Sequence, residues 1–367
     1  IHSGDWSSDV CSSDLVSELH GEVARKMWQF LWPDRKVEDV PIDHVTNGIH
    51  TETWLARRIG VLFSKYIDPE WPARIDDPDL WAQIENIPDE EFWDVRRHMK
   101  RKLVAYIIGR ARDQWKSGKV HPVQTIASGV LLDPYTLTIG FARRFATYKR
   151  ANLILRDYDR LLKIVTNPRM PVQFIFAGKA HPADEPGKQM IQEIYRAVKD
   201  ARFGGRLVFL EDYDMNIARF LVQGVDVWLN TPRRPREASG TSGMKAALNG
   251  VLNFSVLDGW WREAYNGSNG WAIGEDVSVD ADFQEQDEKD ALSLYDTLEN
   301  EIVPLYYEKR SADNLPADWI AWEKESIRTL AGQFSMRRMV KEYMTRMYEA
   351  AMINGIKERN GKNGNNS

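Results

Sequence analysis

Thr136-Leu137-Thr138-Ile139-Gly140-Phe141 and Val172-Gln173-Phe174-Ile175-Phe176 are apolar runs of strand length, and Ala151 to Val165 between them reads as a helix. The same grammar continues downstream. Lys188 to Ala201 reads as a helix, Arg206 to Leu210 as a strand and Met215 to Gln223 as a helix. Val225 to Leu229 is then a strand, Gly243 to Asn249 a helix and Val251 to Ser255 a strand. Strands this continuously apolar are buried on both faces, which predicts an α/β fold with a parallel sheet between helices. In such sheets ligands collect beyond the carboxyl ends of the strands. Loops that follow strands are therefore where chemistry is to be sought.

Outward from this core the grammar is helical. Residues from about Glu52 to Ser117 carry Trp-rich apolar faces broken at Pro69, Pro72, Pro78 and Pro88. From Val16 to about Arg35, Leu19, Val23, Met27, Phe30 and Leu31 fall on one helical face. Asn47-Gly48 is a turn signal. The chain beyond about Asp287 is helical, and Phe334 to Met352 is a long amphipathic segment. Ile1 to Leu15 differs from the rest. It has a near-repeat, Ser7-Ser8-Asp9 and Ser12-Ser13-Asp14, and no structural period, basic start or apolar centre. With no initiator Met, it is expected to be a non-native leader. Residues 354–367, rich in Asn, Gly and Lys, are expected to be disordered.

Length and composition narrow the function classes. A chain of 367 residues forms one large or two ordinary domains. A net charge of -5 gives no reason to expect nucleic acid or an anionic membrane as partner. No apolar run approaches the roughly 20 residues that span a bilayer. The single cysteine, Cys11, excludes an intramolecular disulfide framework. The seven histidines include no His-x-x-x-His pair, so no metal is expected and any cofactor is organic. The 14 tryptophans read as core packing, with sugar stacking as the alternative.

Two loops carry chemistry. Phe141 to Arg150 places four cations, Arg143, Arg144, Lys149 and Arg150, after a buried strand. A guanidinium fork matches phosphate oxygens and an ammonium is a point charge. Basic side chains at a helix start oppose its dipole, so a bound anion accounts for them better than ordinary solvated charge. The second loop is Glu237-Ala238-Ser239-Gly240-Thr241-Ser242-Gly243-Met244-Lys245. Free N–H groups at a helix start, with a lysine nearby, offer an anion cradle and an amine. The local alternative is a capping loop with Ser239 or Thr241 as N-cap. Thr46-Asn47-Gly48-Ile49 is locally a turn, and Phe176 to Pro182 is a glycine-containing strand end.

At these residues the chain resembles the α-glucan (glycogen/maltodextrin) phosphorylases, bacterial branch. The match is Glu-Ala-Ser-Gly-Thr-x-x-Met-Lys at Glu237 to Lys245, followed by Asn249-Gly250. It is joined by Arg144 with Tyr148-Lys149-Arg150, by Thr46 to Ile49, by Gly178-Lys179-Ala180 and by Phe209 to Tyr213. It extends from about Val16 to Met352. The resemblance implies the two-lobed glycosyltransferase (GT-B) architecture, with residues 16–50 as the tail of the N-terminal lobe. Residues 51–330 would be the C-terminal Rossmann-like catalytic lobe and 331–353 a crossover helix, the first lobe lying upstream. It implies that Lys245 anchors pyridoxal 5′-phosphate, with Arg143, Thr241 and Ser242 beside the cofactor phosphate. Arg143 departs from the family's usual lysine. Arg144 and Lys149 would hold substrate phosphate, and Asn47, Tyr148, Glu237, Ser239 and Gly240 would contact the transferred glucose. The implied activity is retaining phosphorolysis of α-1,4-glucan by orthophosphate to glucose 1-phosphate. A cytoplasmic enzyme, a homodimer when full length, is implied as well. The chain by itself is expected to be inactive or weakly active.

A nucleotide-sugar glucan synthase is the nearest rival, because it shares the fold, the Arg…Lys pair and a glutamate at Glu237. Its ribose-binding glutamate falls where this chain has Lys245. A cation cannot accept ribose hydroxyl hydrogen bonds. A non-catalytic glucan-binding remnant is the alternative outside catalysis.

Overall fold

The computed structural model describes residues 15–118, 121–275, 282–308, 310–349 and 352–353. The expected leader (apart from Leu15), Cys11 and the 354–367 tail lie outside the described residues. The elements used below are α1 (Glu18–Trp28), α2 (Asp89–Lys116), β1 (Leu137–Ala142), α3 (Tyr158–Val165), β2 (Val172–Ala177), α4 (Glu185–Val198), β3 (Leu207–Leu210), α5 (Met215–Gly224) and β4 (Val227–Asn230). They continue with α6 (Thr241–Ala247), β5 (Leu252–Val256), β6 (Gly270–Ile273), α7 (Phe283–Thr297), α8 (Ala317–Leu330) and α9 (Met336–Tyr343).

All strand pairs are parallel, in the order β3-β2-β1-β4-β5-β6. Every residue of β1 to β5 is buried, as strands covered by helices on both faces must be. One large buried cluster fills one side of the sheet, and a smaller one under α2 and α5 fills the other. The core-packing reading of the tryptophans holds for Trp81, Trp228, Trp260, Trp261 and Trp319, which are fully buried. The strand order runs outward in opposite directions from the β1–β4 pair, whose register is short, Ile139 opposite Val227 and Gly140 opposite Trp228. That pair is the topological switch point, where loops diverge and leave a crevice.

Several sequence expectations are corrected. The strand β6 went unread, because four residues opening on glycine carry too little pattern. α4 starts at Glu185 rather than Lys188, because Asp184 accepts from Gly187 N at 2.9 Å and caps the helix. Asp157 caps α3 in the same way, so only a short 3₁₀ turn occupies Leu153–Leu155 before it. α1 ends at Trp28, and Met27, Phe30 and Leu31 are exposed rather than packed. Asn47-Gly48 forms no turn. Ile49 instead makes a parallel bridge to Ser335.

Candidate active site at the sheet switch point

The loops leaving β1 and β4 face each other at the carboxyl edge of the sheet. Arg143 N donates to Ala177 O at 3.1 Å and Phe145 N to Lys179 O at 2.9 Å, so the first loop lies against the end of β2. Gly178 permits this, because a Cβ there would stand 2.0 Å from Arg143 O. The Phe176 to Pro182 segment is thus a seat for the first loop, and Lys179 is exposed.

Glu237 is the centre of the crevice. Its carboxylate pairs with the Arg143 guanidinium and lies 3.5 Å from Lys149 Nζ. Arg143 also donates to Asn230 Oδ1 at 2.8 Å, at the end of β4. All three charged side chains are nearly buried, at 6%, 10% and 11% exposure for Arg143, Lys149 and Glu237. Two cations thus share one carboxylate. Burial, then the charge of Arg143, lowers the Lys149 ammonium to about 8, and Glu237 only partly restores it. Tyr148, whose ring lies 5.2 Å from Lys149 Nζ, has its phenol raised by burial and by Glu237. Arg143 Nε is buried with no hydrogen-bond partner. A nearly buried surplus of positive charge with an open donor is an arrangement that accepts an anion.

The four cations of the first loop therefore divide. Arg143 and Lys149 face Glu237. Arg144 is exposed. Arg150 turns away, with its guanidinium donating to Thr231 O, Pro232 O, Asp287 and Asp290. It anchors the loop, and its backbone is left-handed, at φ 42°.

The Glu237–Gly240 segment is pinned from three directions. Glu237 N donates to Asp258 Oδ2 at 2.9 Å, Trp260 N to Ser239 O at 2.9 Å, and Ser17 Oγ to Ala238 O at 2.7 Å. Neither Ser239 nor Thr241 caps α6. The N-cap is Gly240, in the left-handed conformation, and it makes no side-chain bond. Ser239 Oγ is buried without a partner. Thr241 is half-buried, and Ser242 Oγ accepts from Trp228 Nε1 at 3.2 Å. Lys245, one turn on, rests its ammonium 4.0 Å from the centre of the Trp54 ring, and burial lowers its pKa. Asn249 Nδ2 ties that corner by donating to Trp54 O and Lys245 O. Asn47 reaches the same neighbourhood through the chain start. Its N–H donates to Val16 O at 3.0 Å, and the next residue, Ser17, holds Ala238.

Sequence reasoning missed Asp258, Trp54 and Asn230. The Asp258-Gly259 pair just after β5 was a usable signal, because it sits at the carboxyl end of a strand. Trp54 comes from outside the strand–helix alternation, and nothing local marks it. Among the described residues no cluster of His, Cys, Asp and Glu could hold a metal, and no helix is long and apolar enough to cross a membrane.

Comparison with known proteins places this crevice in a family. A glycogen phosphorylase of Aquifex aeolicus is 48% identical over 335 residues, covering 91% of this chain and 47% of that protein. A maltodextrin phosphorylase of Thermococcus litoralis is 48% identical over 94% of this chain and 40% of its own length. A glycogen phosphorylase of Mycobacterium tuberculosis is 40% identical over 92% of this chain and 38% of its own. The chain thus spans about half the length, or less, of the curated relatives it matches. The family profile described as carbohydrate phosphorylase matches residues 11–266, a range that takes in both loops around Glu237 and the Lys245 helix, and the chain belongs to that family.

Proposed function

We propose that this chain carries the phosphate-handling lobe of an α-1,4-glucan phosphorylase, which releases glucose 1-phosphate with retention, in the cytoplasm, using pyridoxal 5′-phosphate. The observation that carries the reading is the nearly buried pair of cations, Arg143 and Lys149, on the single carboxylate of Glu237. A glucan and orthophosphate are the substrates in this reading.

The residues present fit the cofactor. Lys245 is desolvated, and its ammonium faces an indole rather than a carboxylate, which keeps an amine available for covalent attachment. Arg143 Nε and Ser239 Oγ are buried donors in want of acceptors. Lys245 would anchor the cofactor, and Arg143, Thr241 and Ser242 would hold its phosphate. When bound, the cofactor supplies that phosphate as an acid–base partner for the substrate phosphate.

The chain's own residues do the rest. Lys149 and Arg144 would hold orthophosphate and offset its charge as the glycosidic bond polarises. Glu237 offers acceptors to sugar hydroxyls while restraining Arg143 and Lys149. Tyr148, Ser239, Gly240 and Asn47 would complete the glucose contacts. Residues 51–330 form the catalytic lobe in this reading, residues 16–50 reach in from the companion lobe, and residues 331–353 cross back toward it.

The test is a spectrum of the purified protein after incubation with pyridoxal 5′-phosphate, followed by borohydride and peptide mass mapping. The expected result is a pyridoxal mass increment on Lys245, absent from Lys245→Ala. Undiminished incorporation in Lys245→Ala would sink the assignment.

A further inference from the structure

The segment Thr46-Asn47-Gly48-Ile49 draws most of its backbone hydrogen bonds from residues 333–339. Ile49 N donates to Phe334 O and Met336 N to Ile49 O, both at 2.9 Å. Gly48 N donates to Met339 Sδ at 3.2 Å. Gly48 must lack a side chain, because a Cβ would stand 2.2 Å from Ser335 O. The decisive contact is Arg338, in α9. Its Nη1 donates to Thr46 O at 2.8 Å, its Nη2 to Asn47 O at 3.1 Å and its Nε to Gln333 O at 2.6 Å.

The first two carbonyls belong to the peptide planes on either side of Asn47. Holding both planes fixes the backbone dihedrals of Asn47 and leaves its side chain only rotamer freedom. A cavity of about 850 Å³ borders Thr46, Glu263, Phe334 and Arg338. Of the residues lining it, Thr46 Oγ1 donates to Glu263 Oε2 at 2.8 Å, and Glu342 lies 3.3 Å from Arg338 Nη1. On its other side Asn47 N is bonded to Val16 O, one residue from the Ser17 hydroxyl that holds Ala238.

We propose that Arg338 is a positioning residue for sugar binding: from the C-terminal helix it sets where Asn47 stands relative to the Glu237–Gly240 loop. This rests on the reading of Asn47 and Glu237 as glucose contacts. A planar fork is required, because a lysine ammonium cannot hold two carbonyls in fixed relative orientation. Arg338→Lys is therefore not conservative here, although it keeps the charge and most of the stem.

The experiment is amide exchange, read by mass spectrometry, on the whole chain, Arg338→Lys and Arg338→Met, with and without glucose 1-phosphate. Both variants are expected to exchange about tenfold faster over residues 44–50 and unchanged over 237–245. The glucose 1-phosphate concentration that half-protects residues 44–50 should rise about tenfold. Pyridoxal attachment to Lys245 should stay intact. Unchanged exchange over 44–50, acceleration spread evenly over the chain, or an unmoved half-protection concentration would each overturn the assignment. If Arg338→Met fails to fold, Arg338→Lys decides. Absence of pyridoxal from the wild-type chain overturns the phosphorylase reading instead, whatever the exchange result.

Discussion

Two nearly buried charge clusters sit at opposite ends of the same strand pair, β1 and β4. At the amino end, Lys100 pairs with Asp226, each 4% exposed. Asp226 also accepts from Thr138 N at 2.8 Å, and Lys100 donates to Tyr306 OH at 3.0 Å. Beside them Arg96 spends its donors on Glu323 Oε1, Gln223 O and Val225 O. Two cations, Arg96 and Lys100, meet two carboxylates, Asp226 and Glu323, so the charges balance although Glu323 Oε2 has no hydrogen-bond partner. At the carboxyl end two cations, Arg143 and Lys149, meet one, Glu237, and a buried donor is left over. The balanced cluster fastens α2 and α8 to the sheet. The unbalanced one has capacity for an anion, and the missing negative charge sets the candidate site apart from the closed end.

The largest expected effect belongs to the balanced end. Lys100→Met strands the Asp226 carboxylate beneath the sheet. It should cost about 3–5 kcal/mol of unfolding free energy, as breaking a buried pair does. Urea denaturation measures it. A loss below about 1 kcal/mol would mean that the amino-end cluster is not closed as described.

Lys149→Met at the other end should behave differently. It removes surplus charge, so stability without ligand should change by less than about 1 kcal/mol. The cost appears with phosphate. At a hundredfold excess over its Kd, phosphate should stabilise the wild-type chain by about 2.7 kcal/mol. The variant should lose most of that gain, as read from thermal midpoints with and without phosphate. Equal phosphate stabilisation in both proteins would remove Lys149 from the anion site.

This contrast also explains what the sequence could disclose. Strands β1 to β5 were legible because burial on both faces forces continuous apolar runs, and β6 was too short to carry one. The cations of the first loop were legible as a group. Their division was not, because Arg150 looks like its neighbours until Asp287 and Asp290 are brought in from α7. The Asn47-Gly48 pair misled, since the glycine answers a close approach of Ser335 from nearly three hundred residues away rather than a turn. Local pattern reports what a segment needs from its own backbone. It is silent on partners supplied by distant chain.

Lys149 is lowered to about 8 by burial and by Arg143, so it is mainly cationic below that pH and loses its proton as pH rises through it. Phosphate affinity should therefore fall by up to about tenfold per unit above pH 8, measured by calorimetry at pH 7, 8 and 9. The free chain should show the opposite trend from this group. Between about 8 and 10.5 the unfolded state binds the proton that the folded state has released, so this contribution makes stability rise with pH. Phosphate affinity that is flat to pH 9 would mean that Lys149 is not the charge being read.

The smallest effect is expected at a buried carboxylate beside the crevice that accepts from two backbone N–H groups. Asp258 accepts from Glu237 N and Gly259 N, and burial raises its pKa to about 7. Between about 4 and 7 the folded state keeps a proton that the unfolded state has lost, so this group makes stability fall as pH rises across that window. Asp258→Asn removes the titration but turns an amide donor toward one of the two N–H groups. At pH 7 the exchange should cost about 1 kcal/mol, the balance of one lost hydrogen bond against the relieved burial of charge. The stability profile between pH 4 and 7 should flatten. A slope unchanged in the variant would assign that titration to another buried carboxyl, with Asp290 and Glu323 the next to examine, since burial raises both.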